Sequence, residues 1–208
     1  MSHVRVVEHP VMQEALARLR DKTTKPSEFR KHMADAGMIL GLAALDDLKS
    51  LPGKVVTPIK AAKVHRLGKP LALIAILRAG LGLLPKLSDL LPDAATGHIG
   101  LYRNEETLNP IRYYVRLPKG LGKARVLLCD PMLATGGSAA EAVRILKTDG
   151  ARDIHLVSLL ATEVGIRRVH REHPDVRVVT ASVDPVLNKM GYIVPGLGDA
   201  GDRLFGTL

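Results

Sequence analysis

Tryptophan is missing from this 208-residue sequence, and only two Phe and four Tyr are present. A core so poor in rings has to be built from Leu, Ile, Val and Ala. The same shortage argues against single-stranded nucleic acid as a ligand, because such strands are gripped by aromatic stacking platforms. Cysteine is nearly absent as well. Cys129 stands alone, so no intrachain disulfide can form and nothing points to an oxidising compartment. Long apolar runs are lacking: the longest, residues 36–45, has ten residues including two glycines, whereas a membrane span needs about 20. The first twenty residues hold no apolar stretch of the kind a secretory signal uses. These absences predict a cytoplasmic protein with no membrane partner.

Acidic residues are outnumbered, 21 against 30 Lys plus Arg, for a formal net charge of +9. The excess points to an anionic partner. No run of five consecutive basic residues occurs, so a small polyanion such as a phosphorylated metabolite is favoured over nucleic acid. What remains is ordinary globular material, 46% apolar and 25% charged, of a length that suits one domain with an added arm.

Residues 11–20 and 27–48 read as helices. The second carries Phe29, Met33, Ala36, Leu40, Ala43 and Ala44 near a 3.6-residue period, and Leu51, Pro52 and Gly53 stop it. From residue 70 the pattern changes. Residues 71–77, L-A-L-I-A-I-L, are uninterrupted apolar, as in a strand covered on both faces. Further strands are predicted over 97–102, 111–117, 126–129, 154–161 and 176–183, and helices over 83–91, 138–149 and between the last two strands. Residues 103–109 are polar and read as a lid. This alternation predicts an α/β fold with a largely parallel twisted sheet flanked by helices. We divide it into an N-terminal helical arm (1–68), an α/β core (69–183) and a C-terminal segment (184–208). Ligands of such sheets sit beyond the carboxyl ends of the strands, here the loops after residues 77, 129 and 161.

The strongest signal lies in the second of these loops. A buried strand ends in Asp130, small residues follow, and a helix starts at Ser138. Ala134, Thr135, Gly136, Gly137 and Ser138 are suited to turn successive backbone N–H groups toward one point, where the helix start adds about half a positive charge. That describes a monophosphate cradle, with the Thr135 and Ser138 hydroxyls as extra donors and Asp130 placed to accept from sugar hydroxyls. It is not a Walker loop, since the lysine of G-x-x-x-x-G-K-[ST] is lacking. Arg78, at the end of strand 71–77, offers a planar fork for a second phosphate group. Gly196 to Gly201 spell G-x-G-x-x-G, yet only seven residues follow, too few for a dinucleotide unit. The stretch offers instead bare backbone for a small flat ligand, with Asp199 and Asp202 beside it. His170 and His173 read as helix surface rather than metal ligands, and Cys129 as core.

Taken together, D-P-M-L-A-T-G-G-S at 130–138, G-H-I-G-L-Y-R-N-E-E-T at 97–107 and G-Y-I-V-P-G-L-G-D-A-G-D-R-L-F-G-T at 191–207 resemble the uracil phosphoribosyltransferases, a branch of the type I phosphoribosyltransferases. The resemblance runs from about Lys69 onward. It implies transfer of a 5-phosphoribosyl group from phosphoribosyl diphosphate (PRPP) to uracil, giving UMP and diphosphate in pyrimidine salvage. It implies Mg²⁺, held mainly by PRPP, and a homodimer or higher homo-oligomer, and it leaves activation by GTP open.

Carried over residue by residue, Arg78, Arg103, Asp130, Pro131, Met132, Leu133, Ala134, Thr135, Gly136, Gly137, Ser138 and Asp199 match PRPP-binding positions. Ile193, Gly198, Asp199 and Ala200 match uracil-binding ones. Arg103, Asp130 and Asp199 are the catalytic candidates, and a cis peptide is expected at Arg78–Ala79. The chain departs from the pattern at residues 161–165, A-T-E-V-G, where relatives more often have A-P-E-G, and in its loosely matching first sixty residues. Two alternatives stay open: a nucleic-acid-binding regulator built on the same fold, and a transferase for a different base.

Overall fold

Helices on both faces of one sheet explain why its strands are apolar without alternation. The computed structural model describes residues 3–103 and 110–207, and the side chains of Arg103 and Pro110 lie outside that description. The chain runs β1 (Val4–Val6), α1 (Pro10–Arg20), α2 (Pro26–Leu45), β2 (Ser50–Val56), β3 (Ala61–Leu67) and β4 (Leu71–Leu77). A 3₁₀ turn (Ala79–Leu83) leads to α3 (Pro85–Leu90), β5 (Ala95–Arg103), β6 (Pro110–Arg116), β7 (Arg125–Cys129) and β8 (Met132–Leu133). Then come α4 (Gly137–Thr148), β9 (Asp153–Thr162), α5 (Glu163–Glu172), β10 (Arg177–Asp184), β11 (Val186–Leu187), β12 (Ile193–Val194) and α6 (Ala200–Phe205).

The main sheet has the order β1-β10-β9-β7-β4-β5-β6, with β8 beside β9. Every pairing is parallel except β5 with β6. On β4, Leu73 and Ala75 face Phe29, Met33 and Leu40 of α2, while Ala72, Ile74 and Ile76 face the layer that holds Val143 and Leu146 of α4. All seven residues of this strand are apolar because neither face meets water. β4 has β5 on one side and β7 on the other. The chain therefore reverses its direction of progress between β4 and β7, and a crevice opens beyond their carboxyl ends, at Leu77 and Cys129.

The N-terminal part differs from the predicted helical arm in three ways. β1 joins the main sheet as its parallel edge, and α2 is core, with Phe29, Met33 and Leu40 fully buried. Residues 50–67 form an antiparallel hairpin, β2 with β3, so the stop read at Leu51, Pro52 and Gly53 lies inside a strand. The predicted helix 83–91 divides into the 3₁₀ turn and the short α3, because Pro85 is better tolerated as a first-turn residue than within a helix. Among the described residues, no helix is long and apolar enough to cross a membrane.

Candidate active site

β7 delivers Asp130, and the turn from Pro131 to Gly136 leads into α4. Gly136 has φ +77° and caps the helix, and a side chain there would strike Gly165 backbone within 2.6 Å. Only glycine suits this position. The turn is fastened from β9. The buried Ser158 hydroxyl donates to the Asp130 carbonyl (2.7 Å) and accepts from the Leu133 N–H (3.1 Å). The Thr162 hydroxyl donates to the Ala134 carbonyl (2.6 Å) and accepts from the Gly165 N–H (3.0 Å), so it caps α5 while holding the cradle. Thr162 belongs to the stretch that departs from the family pattern. Thr135 and Ser138 stand half-buried at the rim of the turn.

Burial pushes the Asp130 carboxyl up to about 7, against a weak opposing bond from the Met132 N–H at 3.4 Å. Burial also pushes the Cys129 thiol up to about 12, so this side chain is core and not a nucleophile. Sequence reading missed Arg168. Its guanidinium lies 3.1 Å from the point a side chain on Gly137 would occupy, which adds a cation beside the cradle from α5.

Arg78 follows β4. The cis bond falls one residue earlier than expected, at Leu77–Arg78. The guanidinium donates to Asp202 Oδ1 of α6 (3.1 Å) and lies 5.7 Å from the Phe205 ring. One of its five N–H groups is thus engaged, and the side chain remains more than half exposed at the crevice mouth. Arg103 ends β5, and its side chain, with Asn104, Glu105, Glu106 and Thr107 of the predicted lid, lies outside the described residues.

The C-terminal segment closes the site. β11 and β12 pair Leu187 with Ile193, and Asp199 caps the start of α6, its carboxylate accepting from the Asp202 N–H (2.9 Å). Ile193, Gly198, Asp199 and Ala200 share a cleft of about 220 Å³ with Ala79, Met132 and Ala134. Candidate base-binding and phosphoribose-binding residues therefore line one cavity. Tyr192, which the sequence reading passed over, lines it too. A larger concavity of about 820 Å³ lies between residues 65–71 and 90–94, at the opposite end of β4, away from these groups. It plays no part in this site.

His170 sits on α5 as expected, its ring nitrogen 3.1 Å from the Val176 carbonyl, whereas His173 is buried against the Ala140 carbonyl (2.9 Å). Among the described residues no group of three His, Cys, Asp or Glu side chains could hold a metal. The site offers instead the separate carboxylates of Asp130 and Asp199, which fits a Mg²⁺ ion bound by one or two carboxylates and substrate phosphates.

Comparison with known proteins agrees with this geometry. The sequence profile described as uracil phosphoribosyltransferase matches residues 6–207. The uracil phosphoribosyltransferase of Thermus thermophilus is 49% identical over 98% of this chain and 99% of its own. That of Clostridium botulinum is 48% identical over the whole of both. Among solved structures, the AQ2163 protein of Aquifex aeolicus superposes with a TM-score of 0.93 at 35% identity, over 97% of each chain. An adenine phosphoribosyltransferase of Trypanosoma brucei (TM-score 0.58, 15% identity, 88% of this chain and 84% of that one) shares the fold alone. The loosely matching first sixty residues are thus within the likeness after all, and with the cradle, the crevice and the glycine-rich closing segment in place, the chain belongs to the uracil phosphoribosyltransferase family.

Proposed function

We propose that this protein transfers the 5-phosphoribosyl group of PRPP to N1 of uracil, forming UMP and diphosphate. The observation that carries the reading is the shared cleft: Met132 and Ala134 of the phosphoribose loop and Ile193, Gly198 and Ala200 of the closing segment line one cavity. The 5-phosphate rests on the N–H groups of residues 135–138, far from the reacting carbon, so its binding energy goes into orientation. Asp130, ionised, accepts from the ribose hydroxyls. In the reaction the bond from ribose C1 to the diphosphate oxygen breaks, the bond from C1 to N1 forms, and the N1 proton is released. Negative charge grows on the leaving diphosphate, where the guanidiniums of Arg78 and Arg103 act, the kind of electrostatic stabilisation that usually dominates. Asp130 and Asp199 would help hold a Mg²⁺ ion carried mainly by PRPP, which would supply further neutralisation of that charge.

Uracil is read by backbone. It presents a donor at N3 and an acceptor at O4, and the peptide groups of residues 193 and 198–200, which line the cleft, are placed to offer the complements. Salvage of pyrimidine in the cytoplasm, a homodimer or higher assembly and activation by GTP are the corresponding family expectations. The test is incubation with PRPP, Mg²⁺ and each base in turn. UMP formed from uracil supports the reading, and turnover of purines only, or equal turnover of cytosine, overturns it.

A further inference from the structure

Two arginines outside the cleft take up the carbonyls that lead into it. Arg20, in the last turn of α1, binds Asp184 through both guanidinium nitrogens (2.6 and 2.7 Å) and donates to Ser182 Oγ (3.2 Å). The same guanidinium donates to the Gly196 carbonyl (2.8 Å), while Asp184 accepts from the Gly196 N–H (2.9 Å). A single, nearly buried ion pair thereby binds both polar groups of one glycine. That glycine has φ +60°, and a side chain on it would come within 2.1 Å of the Ile193 carbonyl. Arg203 continues the arrangement. It donates to the Leu197 carbonyl (2.8 Å) and, back on the α1 side, to the Leu19 and Asp21 carbonyls, with its guanidinium 4.4 Å from the Phe29 ring. The carbonyls of residues 196 and 197 are consequently committed to α1 and α6, immediately before the peptides of 198–200 that line the cleft.

We infer that Arg20, through Asp184 and Gly196, and Arg203, through Leu197, are positioning residues that set uracil affinity and base selectivity by fixing the direction of the 193–200 backbone. Neither lines the cleft. The inference rests on the proposed uracil reaction and adds that α1, which no motif singled out, acts mainly on its base half. The turn 130–138 is carried by β7, β8, β9 and α4, which the Arg20 cluster meets only through β10, and Asp199 is the PRPP-binding candidate that lies inside the positioned segment.

The test compares Arg20→Met with Arg125→Met in the full chain. Arg125 is a buried arginine paired with Asp47 and Asp153 at the far end of β7, so its loss destabilises the same sheet without reaching the cleft. Arg20→Met is expected to raise KM for uracil about 10- to 100-fold, at least threefold more than it raises KM for PRPP, and to narrow the preference for uracil over cytosine. Arg125→Met is expected to lower Tm and leave KM for uracil unchanged. If Arg20→Met raises both KM values equally, or matches Arg125→Met in its kinetics, the inference is overturned. If Arg20→Met does not fold, Arg20→Lys carries the test: it keeps the charge but loses the fork that spans Asp184 and Gly196, and an unchanged KM for uracil then overturns the inference. Uracil turnover by the parent protein is the baseline, so a parent inactive on uracil refutes the proposed reaction, whereas an active parent with insensitive variants refutes only the role of α1.

Discussion

Replacing Asp130 with Asn is expected to make the protein more stable and nearly inactive. The carboxyl titrates near 3.8 when free and near 7 in the fold, because burial penalises the charged form. Between those values the folded chain keeps a proton that the unfolded chain has released, so stability falls as pH rises through this window and the loss is complete above about 7. At 1.36 kcal/mol per pKa unit the gap amounts to about 4 kcal/mol. Asp130 is only half-buried, and solvent screening reduces the figure to roughly 2 kcal/mol. For a chain of this size that is a Tm higher by about 4–8 °C for Asp130→Asn at pH 9, with the two proteins converging toward pH 4. Activity moves the other way. The ionised carboxylate accepts two hydroxyl hydrogen bonds, each worth about 1.5–3 kcal/mol when charged, and the amide accepts one and opposes the other. We expect kcat/KM for PRPP to fall about 10²- to 10³-fold. In the parent, kcat/KM for PRPP should rise with pH through about 7, as the free protein's carboxyl ionises, and that rise should vanish in the variant. Thermal unfolding across pH and a continuous assay of UMP formation measure both. A variant no more stable than the parent at pH 9, or a flat parent profile between pH 6 and 8, would refute the reasoning.

Thr162→Val removes the bond to the Ala134 carbonyl and the α5 cap together, and should lower stability by about 1–2 kcal/mol and raise KM for PRPP more than KM for uracil, as denaturant titration and initial rates will show. Arg168→Met should raise KM for PRPP about 3- to 10-fold, with a weaker dependence on ionic strength than in the parent; an unchanged salt dependence would remove Arg168 from the cradle. Gly198→Val, at φ +81°, should weaken uracil more than Asp199→Asn does, since the first displaces backbone and the second alters only a side chain; base competition assays compare them.

The strand 71–77 was legible to the residue because a strand covered on both faces needs no alternation and Pro70 and Arg78 mark its ends. The strand-to-helix turn 130–138 was legible because its signal is local: acid, small residues and helix start lie within nine positions of one another. β1 left no signal, being three residues whose partner is supplied by β10. The hairpin 50–67 was hidden because its alternation is half-exposed and carries Pro and Gly. Arg20 and Asp184 are 164 positions apart, and no pattern within a window links them. The pairing of Arg78 with Asp202 was likewise invisible, and it turns an expected free fork into one already held at the crevice mouth.

The ties of α1 to the closing segment also differ in range from those that hold the turn 130–138. The cradle's fastenings, Ser158 to Leu133 and Thr162 to Ala134, span 25 and 28 positions, short loops that can close while the rest of the chain is still being made. The ties of Arg20 to Asp184 and of Arg203 to Leu19 span 164 and 184 positions. Loop closure grows costlier with length, though slowly, at about 0.6 kcal/mol per doubling. α1, which packs on the neighbouring α2, therefore gains its ties to the closing segment only when residues far along the chain are in place. The turn 130–138 is thus held by bonds of short range and the segment 193–200 by bonds of long range, so partial unfolding that frees α1 or α6 would release the second while leaving the first fastened.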